Sequence, residues 1–357
     1  MDNLEEFYSL SSPYELSKKE KMSLLNPRLN FLDSFHYTNC KSYKDVVDSI
    51  SPSGGNSVLL PVKLFKDYTL KSIKDESVVK TLTSSGTTSQ IVSKIYLDRE
   101  TSTAQTKVLV KIMQHFLGKK RLPMLIIDHP NVVKDRLSFS ARGAGILGLS
   151  TFGRNHTYAL DDDMNINFNA IMTFMERNRG EKIFLFGFTF MVWKYFLQAL
   201  ADSNRKIDLR NAILIHSGGW KKLQDIAVDN VTFKKSAKEL AGIDSVHNFY
   251  GMVEQVGSIF VECSEGYLHT SIYSDIEILN IRNMELVPFG KDGVIAVHSA
   301  LPSSYPGHRL LTEDLGTIVG EDDCKCGLKG KYFLVHGRVA KAEVRGCSDT
   351  HASEVSK

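Results

Sequence analysis

Apolar residues recur along this chain in two rhythms, and the change from one to the other marks its organisation. Between about residues 98 and 250, short unbroken apolar runs alternate with stretches of helical period. Leu122–Ile127, Ile183–Phe186 and Ala212–Ile215 are short and continuous, the pattern of strands buried on both faces. Ile166–Arg177 and Phe190–Leu200 predict helices between them. Val108, Ile112 and Phe116 lie four residues apart on a further helix, with Asp98 placed to cap it. Buried strands alternating with helices predict an α/β layered core around a largely parallel sheet. Beyond residue 255 the rhythm becomes alternation, in Tyr267–Ile272 and Val294–His298, with turns expected at Phe289-Gly290 and Asp292-Gly293. That texture predicts a β-rich subdomain.

Three regions follow. Residues 1–80 predict a helical, loop-rich region packed on the main domain, broken at Ser51-Pro52-Ser53-Gly54-Gly55. Residues 81–336 form the α/β domain with its β-rich subdomain, opened by a strand at Lys94–Leu97. Residues 337–357 form a polar, mobile tail.

Composition narrows the class. With 42% hydrophobic and 24% charged residues, the chain reads as an ordinary soluble protein able to bury a sizeable core. No apolar run approaches the ~18 residues that cross a bilayer. The polar amino terminus is no secretory signal, so a cytoplasmic location is expected. The net charge of +3 is small and spread along the chain. Lys119-Lys120-Arg121 and Lys234-Lys235 read as solvated surface, which argues against a nucleic-acid partner. Five cysteines, an odd number without regular spacing, favour free thiols in a reducing compartment.

Four segments carry candidate chemistry. Thr83-Ser84-Ser85-Gly86-Thr87-Thr88 crowds hydroxyl and amide donors around one glycine, and Lys94 follows. Such a turn suits phosphate oxygens, although it lacks the Gly-Lys-Ser/Thr ending of a Walker A loop and by itself is also an ordinary loop. Tyr250-Gly251-Met252-Val253-Glu254 sets a flat ring and a carboxylate around a glycine. That pairing suits a base and a magnesium ion, or a simple turn. Asp314, between an apolar strand and Gly316, can accept from sugar hydroxyls or cap its own turn. Gly337-Arg338 comes last, with Lys341 and Arg345 beyond it.

In this order and at these separations, the four segments resemble the motifs of the adenylate-forming superfamily of acyl- and aryl-ligases. Those motifs are a Ser/Thr-Gly phosphate loop, a Tyr-Gly-x-x-Glu segment, a Thr-Gly-Asp segment and a Gly-Arg hinge. Ser217-Gly218-Gly219-Trp220-Lys221 falls where that superfamily has its glycine-rich adenine turn. His216 to Lys222, Ser304-Tyr305-Pro306 and Arg345-Gly346-Cys347 resemble more narrowly the acyl-protein synthetases of bacterial bioluminescence operons. This likeness runs from about residue 60 to 350. Cys324-Lys325-Cys326-Gly327 is similar instead to the aryl-coenzyme A ligase branch.

The resemblance implies the large amino-terminal α/β domain of that superfamily without its small carboxy-terminal domain, since nineteen residues follow Arg338. It implies ATP-dependent activation of a carboxylic acid, such as a long-chain fatty acid, to an acyl-adenylate. Thr83, Ser84, Ser85, Gly86, Thr87 and Thr88 would hold phosphates, with Lys94 supplying charge at the reacting centre. Ser217, Gly218, Gly219, Tyr250 and Gly251 would hold adenine, Asp314 and Arg338 the ribose, and Glu254 the magnesium ion. Cys347 would accept the acyl group and pass it to an acyl reductase partner. Acyl transfer to coenzyme A or a carrier protein is the alternative, and a catalytically weak scaffold subunit of a reductase complex is a second. Two departures stand out: Val253 where relatives carry Thr, and Glu313 where they carry Gly.

Other candidates are less committed. Cys324 and Cys326 form half of a candidate zinc site that Cys347, His336 or His308 would complete. His129 in Asp128-His129-Pro130 would edge an acyl pocket. Phe184, Phe186, Phe188, Phe190 and Trp193 would line a channel or simply fill the core.

Overall fold

The computed structural model describes residues 4–51, 57–84, 92–133, 141–220 and 225–339. Two compact units divide the chain. One comprises residues 1–109, 251–260 and 267–357; the other comprises 110–250 and the short turn 261–266.

The first unit opens with helices α1 (Leu4–Ser9), α2 (Lys18–Asn39) and α3 (Lys41–Ile50). The strand β1 (Leu60–Pro61), the single turn α4 (Leu64–Asp67) and the hairpin β2 (Lys80–Thr83) and β3 (Lys94–Leu97) follow. The inward face of α2 is not purely apolar. Lys21, Arg28, Asp33 and His36 are buried beside Leu25, Leu29 and Leu32. Buried polar side chains need partners, and the fold supplies them. Lys21 Nζ lies 3.0 Å from Asp275 Oδ1 and donates to Thr270 Oγ1 at 2.9 Å. Arg28 donates to the Ala300 carbonyl at 2.9 Å, and His36 Nδ1 meets Ser72 Oγ at 2.7 Å. Helix α5 (Arg99–Leu117) begins where the sequence predicts, with Asp98 Oδ1 accepting the Thr101 N–H at 2.8 Å. Val108 and Ile112 on it are fully buried.

The second unit is a parallel α/β layer. Its elements are β4 (Leu122–Ile126), α6 (Ala141–Ser150), β5 (Gly153–Tyr158), α7 (Phe168–Arg177) and β6 (Ile183–Phe188). They continue through α8 (Thr189–Met191), a π-helical stretch Val192–Gln198, α9 (Ala199–Asp202), β7 (Ala212–Ser217), α10 (Asn230–Ala241) and β8 (Ser245–Tyr250). All five strands are parallel, in the order β5-β4-β6-β7-β8. The predicted apolar runs are indeed its interior strands, packed with Phe196, Leu197, Leu200 and Phe233 in one core. Phe184, Phe186 and Trp193 are buried, so these aromatics serve as core.

After β9 (Phe260–Glu262), whose last two residues belong to the second unit, the first unit continues through β10 (Leu268–His269), β11 (Ser274–Leu279), β12 (Asp292–Ser299), β13 (Arg309–Glu321) and β14 (Lys331–Arg338). Strands β11-β12-β13-β14-β10 pair antiparallel in that order, and β1 joins β13 in parallel. The β-rich texture beyond 255 is thus present, with two corrections. Tyr267–Ile272 shrinks to the two-residue β10. Asp292-Gly293 is no turn but the start of β12, where Gly293 lets the Leu279 carbonyl approach closer than any side chain would allow. The turn lies at Phe289-Gly290, with Gly290 at φ +79°.

Candidate functional site

The first unit holds the predicted residues of the hydroxyl turn, Glu254, Asp314 and Arg338. Thr83 ends β2 directly opposite Lys94 on β3. One step further, Ser84 N–H donates to the Ser93 carbonyl at 3.1 Å, and Ser93 N–H donates back to Ser84 Oγ at 2.9 Å. The hairpin therefore closes the base of the hydroxyl-rich turn. Ser85, Gly86, Thr87 and Thr88 lie outside the described residues. Lys94 is exposed beside this base.

Glu254 sits in a single 3-10 turn, Val253–Gln255, and is 8% exposed. Burial raises its carboxyl above the usual carboxylate range, while the Ser93 side chain, Lys66 and Arg338 pull it back down. Its backbone is held from outside. Tyr305 OH donates to the Glu254 carbonyl at 2.9 Å, and Gln105 Nε2 donates to Tyr305 OH at 3.3 Å. Gly307 is required here, because a Cβ would fall 2.6 Å from the Glu254 carbonyl oxygen and into the Tyr305 ring. Gln255 Nε2 ties the same turn to the Gly307 and Val297 carbonyls at 2.9 and 3.2 Å.

Asp314 and Arg338 are direct partners across β13 and β14. Arg338 Nε lies 3.7 Å from Asp314 Oδ1, with the arginine side chain 80% exposed and the aspartate 20%. Thr312 positions the aspartate's backbone: its Oγ1 accepts the Asp314 N–H at 3.1 Å and donates to the Ile295 carbonyl at 2.7 Å. Glu313, one of the two residues that depart from the superfamily pattern, is exposed. Thus Ser93 at the root of the hydroxyl turn and Arg338 beside Asp314 both act on the Glu254 carboxyl.

In the second unit the candidates lie at the carboxyl ends of parallel strands, where open α/β sheets bind ligands. Ser217 ends β7 opposite Phe249, and its Oγ donates to the Phe249 carbonyl at 3.0 Å. Gly218 follows at φ +85°, and a Cβ there would meet the Phe188 ring at 3.1 Å. Tyr250 ends β8. His129 follows β4, beside a pair that sequence reasoning missed: Arg142 Nε lies 2.9 Å from Asp128 Oδ2. Burial raises the Asp128 carboxyl, against Arg142 and His129. A hollow of about 930 Å³ in this unit is lined by Arg154, His156, Arg177 and Glu181 among others, and holds none of the candidate residues.

The cysteine prediction changes most. Cys324 and Cys326 group with Cys263 and His269, whose ligand atoms all lie within 4.8 Å of one another. His308 is committed elsewhere, with Nε2 2.7 Å from the buried Asp33. His336 bonds Thr317 at 2.6 Å. Cys347, Lys341 and Arg345 lie outside the described residues. Cys263 and His269 carried no local signal, being far from the Cys-x-Cys pair in sequence.

This architecture is that of the adenylate-forming enzymes. The structure aligns with 2-hydroxyisobutyryl-CoA ligase, in the postadenylation state with 2-HIB-AMP, at a TM-score of 0.67 and 14% identity, over 92% of this chain and 70% of that one. The open form of the same ligase, with 2-HIB-AMP and CoA, gives 0.66 and 15%, over 92% and 77%. Sequence makes the placement specific. Residues 2–355 match the acyl-protein synthetase family LuxE, and the chain belongs to that family. The long-chain-fatty-acid–luciferin-component ligase of Vibrio harveyi is 22% identical over 97% of this chain and 92% of its own length. The Aliivibrio fischeri protein of the same name is 20% identical over 99% and 94%. Among the described residues no helix is long and apolar enough to cross a membrane.

Proposed function

We propose that this chain uses ATP to activate a long-chain fatty acid as its acyl-adenylate, transfers the acyl group to the thiol of Cys347, and hands it to an acyl reductase. One observation carries the reading beyond family membership. Ser93, at the base of the hydroxyl turn, and Arg338, the cross-strand partner of Asp314, both favour the charged form of the same buried carboxyl, Glu254.

A carboxylate is a poor acyl donor because oxide would have to leave. Attack of a carboxylate oxygen on the α-phosphorus of ATP expels pyrophosphate and leaves a mixed anhydride, from which AMP departs readily. Negative charge gathers at phosphorus, so the site needs positioned donors and cations more than a general base. Ser84 and the turn it opens would donate to phosphate oxygens. Lys94, exposed at the hairpin base, would supply charge to the reacting phosphate. Asp314 would accept from ribose hydroxyls, with Arg338 steadying it. Ser217 and Gly218, at the end of β7, would flank adenine, and Tyr250, at the end of β8, would pack on it.

Glu254 fits a magnesium ion: a buried carboxyl raised by desolvation gains from a hard cation, and its oxygen donor suits that ion. When bound, the ion would supply charge neutralisation on the phosphates. For the second half-reaction, the Cys347 thiolate would attack the acyl carbonyl and release AMP. Lys341 and Arg345, close to it in sequence, would favour the thiolate, and a short tether would raise its effective concentration.

Incubation with ATP, magnesium, labelled tetradecanoic acid and no added thiol tests this. Label should appear on the protein as a thioester and disappear in Cys347→Ala, while pyrophosphate–ATP exchange persists. Label found only on added coenzyme A would establish the acyl-CoA alternative. No exchange with any fatty acid would leave the scaffold reading.

A further inference from the structure

We propose that Cys263, His269, Cys324 and Cys326 form a closed, four-ligand zinc site that clamps the β13–β14 connection to the end of β10. The proposal stands independently of the acyl-transfer reading above. Cys263 is tethered to His269 by only five intervening residues, 264–268.

The geometry is that of a ligand set. All four candidate ligand atoms lie within 4.8 Å of one another, and His269 Nε2 is 3.4 Å from Cys326 Sγ. A tetrahedral zinc ion with Zn–S of ~2.3 Å and Zn–N of ~2.0 Å separates its ligand atoms by about 3.5–3.8 Å. The cluster therefore needs only a slight contraction to accept the ion. His269, Cys263 and Cys324 are 0%, 1% and 8% exposed, and Cys326 is half-buried. Such enclosure leaves no room for the water or substrate position of a catalytic zinc. Three soft thiolates and one imidazole select zinc over magnesium or calcium, which take oxygen ligands.

The surrounding structure presents these side chains firmly. Gly327, at φ +84°, turns the chain after Cys326, and its N–H donates to the Cys324 carbonyl at 3.0 Å. The Leu328 N–H points at Cys326 Sγ at 3.4 Å, an arrangement that stabilises a thiolate. Asp322 closes the loop by accepting the Gly330 N–H at 2.8 Å. On the other side, the Tyr332 ring stacks on the His269 imidazole with centroids 5.6 Å apart, fixing its plane. Gly266 N–H donates to the Cys263 carbonyl at 3.1 Å, so a tight turn presents that thiol. Because these four complete the coordination shell, Cys347 is not needed as a ligand. The tail thiol stays available for acyl transfer.

Metal analysis of the full-length protein, purified without chelators, tests the site directly. The expected content is one zinc per chain, released by a mercurial and detected with a chromogenic chelator. Cobalt loaded into the apoprotein should show tetrahedral d–d bands and strong thiolate-to-cobalt charge transfer. Cys263→Ser should weaken that charge transfer and reduce zinc affinity by more than about 100-fold, since loss of even an outer partner costs ~10–100-fold. Cys347→Ser should leave zinc content and the cobalt spectrum unchanged. Wild-type protein that stays metal-free in stoichiometric zinc, or that loads cobalt with an octahedral spectrum, would overturn the proposal. So would loss of zinc in Cys347→Ser. These wild-type and Cys347 measurements decide the matter even where a Cys263 or His269 variant does not fold.

Discussion

The two units are held together by different physics. The parallel unit has an interior of Leu125, Leu185, Phe196, Leu214 and Phe233, all at or near zero exposure. The antiparallel unit sets buried charge networks beside its own apolar core. Lys21, Asp275 and Lys331 form one network, with Lys331 Nζ 2.7 Å from Asp275 Oδ2. Asp33, His308 and Arg309 form another. Apolar packing depends on area and tolerates substitution by similar volume, whereas a buried network depends on every member being present. The difference also places chemistry. In the parallel unit the candidate residues sit where strand topology delivers any strand end. In the antiparallel unit they are positioned one by one, as Tyr305 and Gln105 position Glu254.

The sharpest way to break this contrast is Lys21→Met. It leaves Asp275, which is held at about 2, against its own burial, by Lys21 and Lys331, with one cation. Urea unfolding should show a loss of about 3–5 kcal/mol. A neutral result would mean that the antiparallel unit, too, rests on apolar area. Leu214→Ala probes the other unit. Its cost should be about 2–5 kcal/mol from lost transfer energy and the cavity left behind, and it should not change with salt.

A smaller effect comes from pH. His216 is pushed down to about 3 by burial, with Lys234 and His247 reinforcing, while Thr189 Oγ1 lies 2.9 Å from its Nδ1. A depressed histidine is neutral in the fold and takes up a proton on unfolding. Its stabilisation is complete above the ordinary value of 6.5 and drains away as pH falls toward 3. The slope is ~1.4 kcal/mol per pH unit. Unfolding free energies measured across that window should be flatter by about this amount in His216→Gln; an unchanged slope would show the imidazole to be charged in the fold. Smallest is Asn167→Ala at the start of α7, where Asn167 Oδ1 accepts the Ala170 N–H at 3.0 Å. Removing this cap should cost ~1 kcal/mol, read as a modest drop in melting temperature.

The parallel unit was the more legible in sequence, because continuous apolar runs and helical spacing are local signals. Leu122–Ile127, Ile183–Phe186 and Ala212–Ile215 all proved to be interior strands. The antiparallel unit was harder. Short strands such as β10 leave too few residues for alternation to register, and Gly293 looks like a turn until Leu279 is seen beside it. Among site residues, the order of the motif segments already pointed to an adenylating enzyme. Nothing local distinguished Ser93, Gln105 or Arg142 from any other serine, glutamine or arginine.

Sequence alone determined the residue types, the element rhythm and the family, since these are written in neighbouring positions. Tertiary structure decided which distant groups meet: Lys21 with Asp275, Tyr305 with Glu254, and Cys324 and Cys326 with His269 rather than His308 or His336. The reason is physical. Pairing of buried polar groups depends on through-space distance, and separations of fifty to three hundred residues along the chain carry no trace of it.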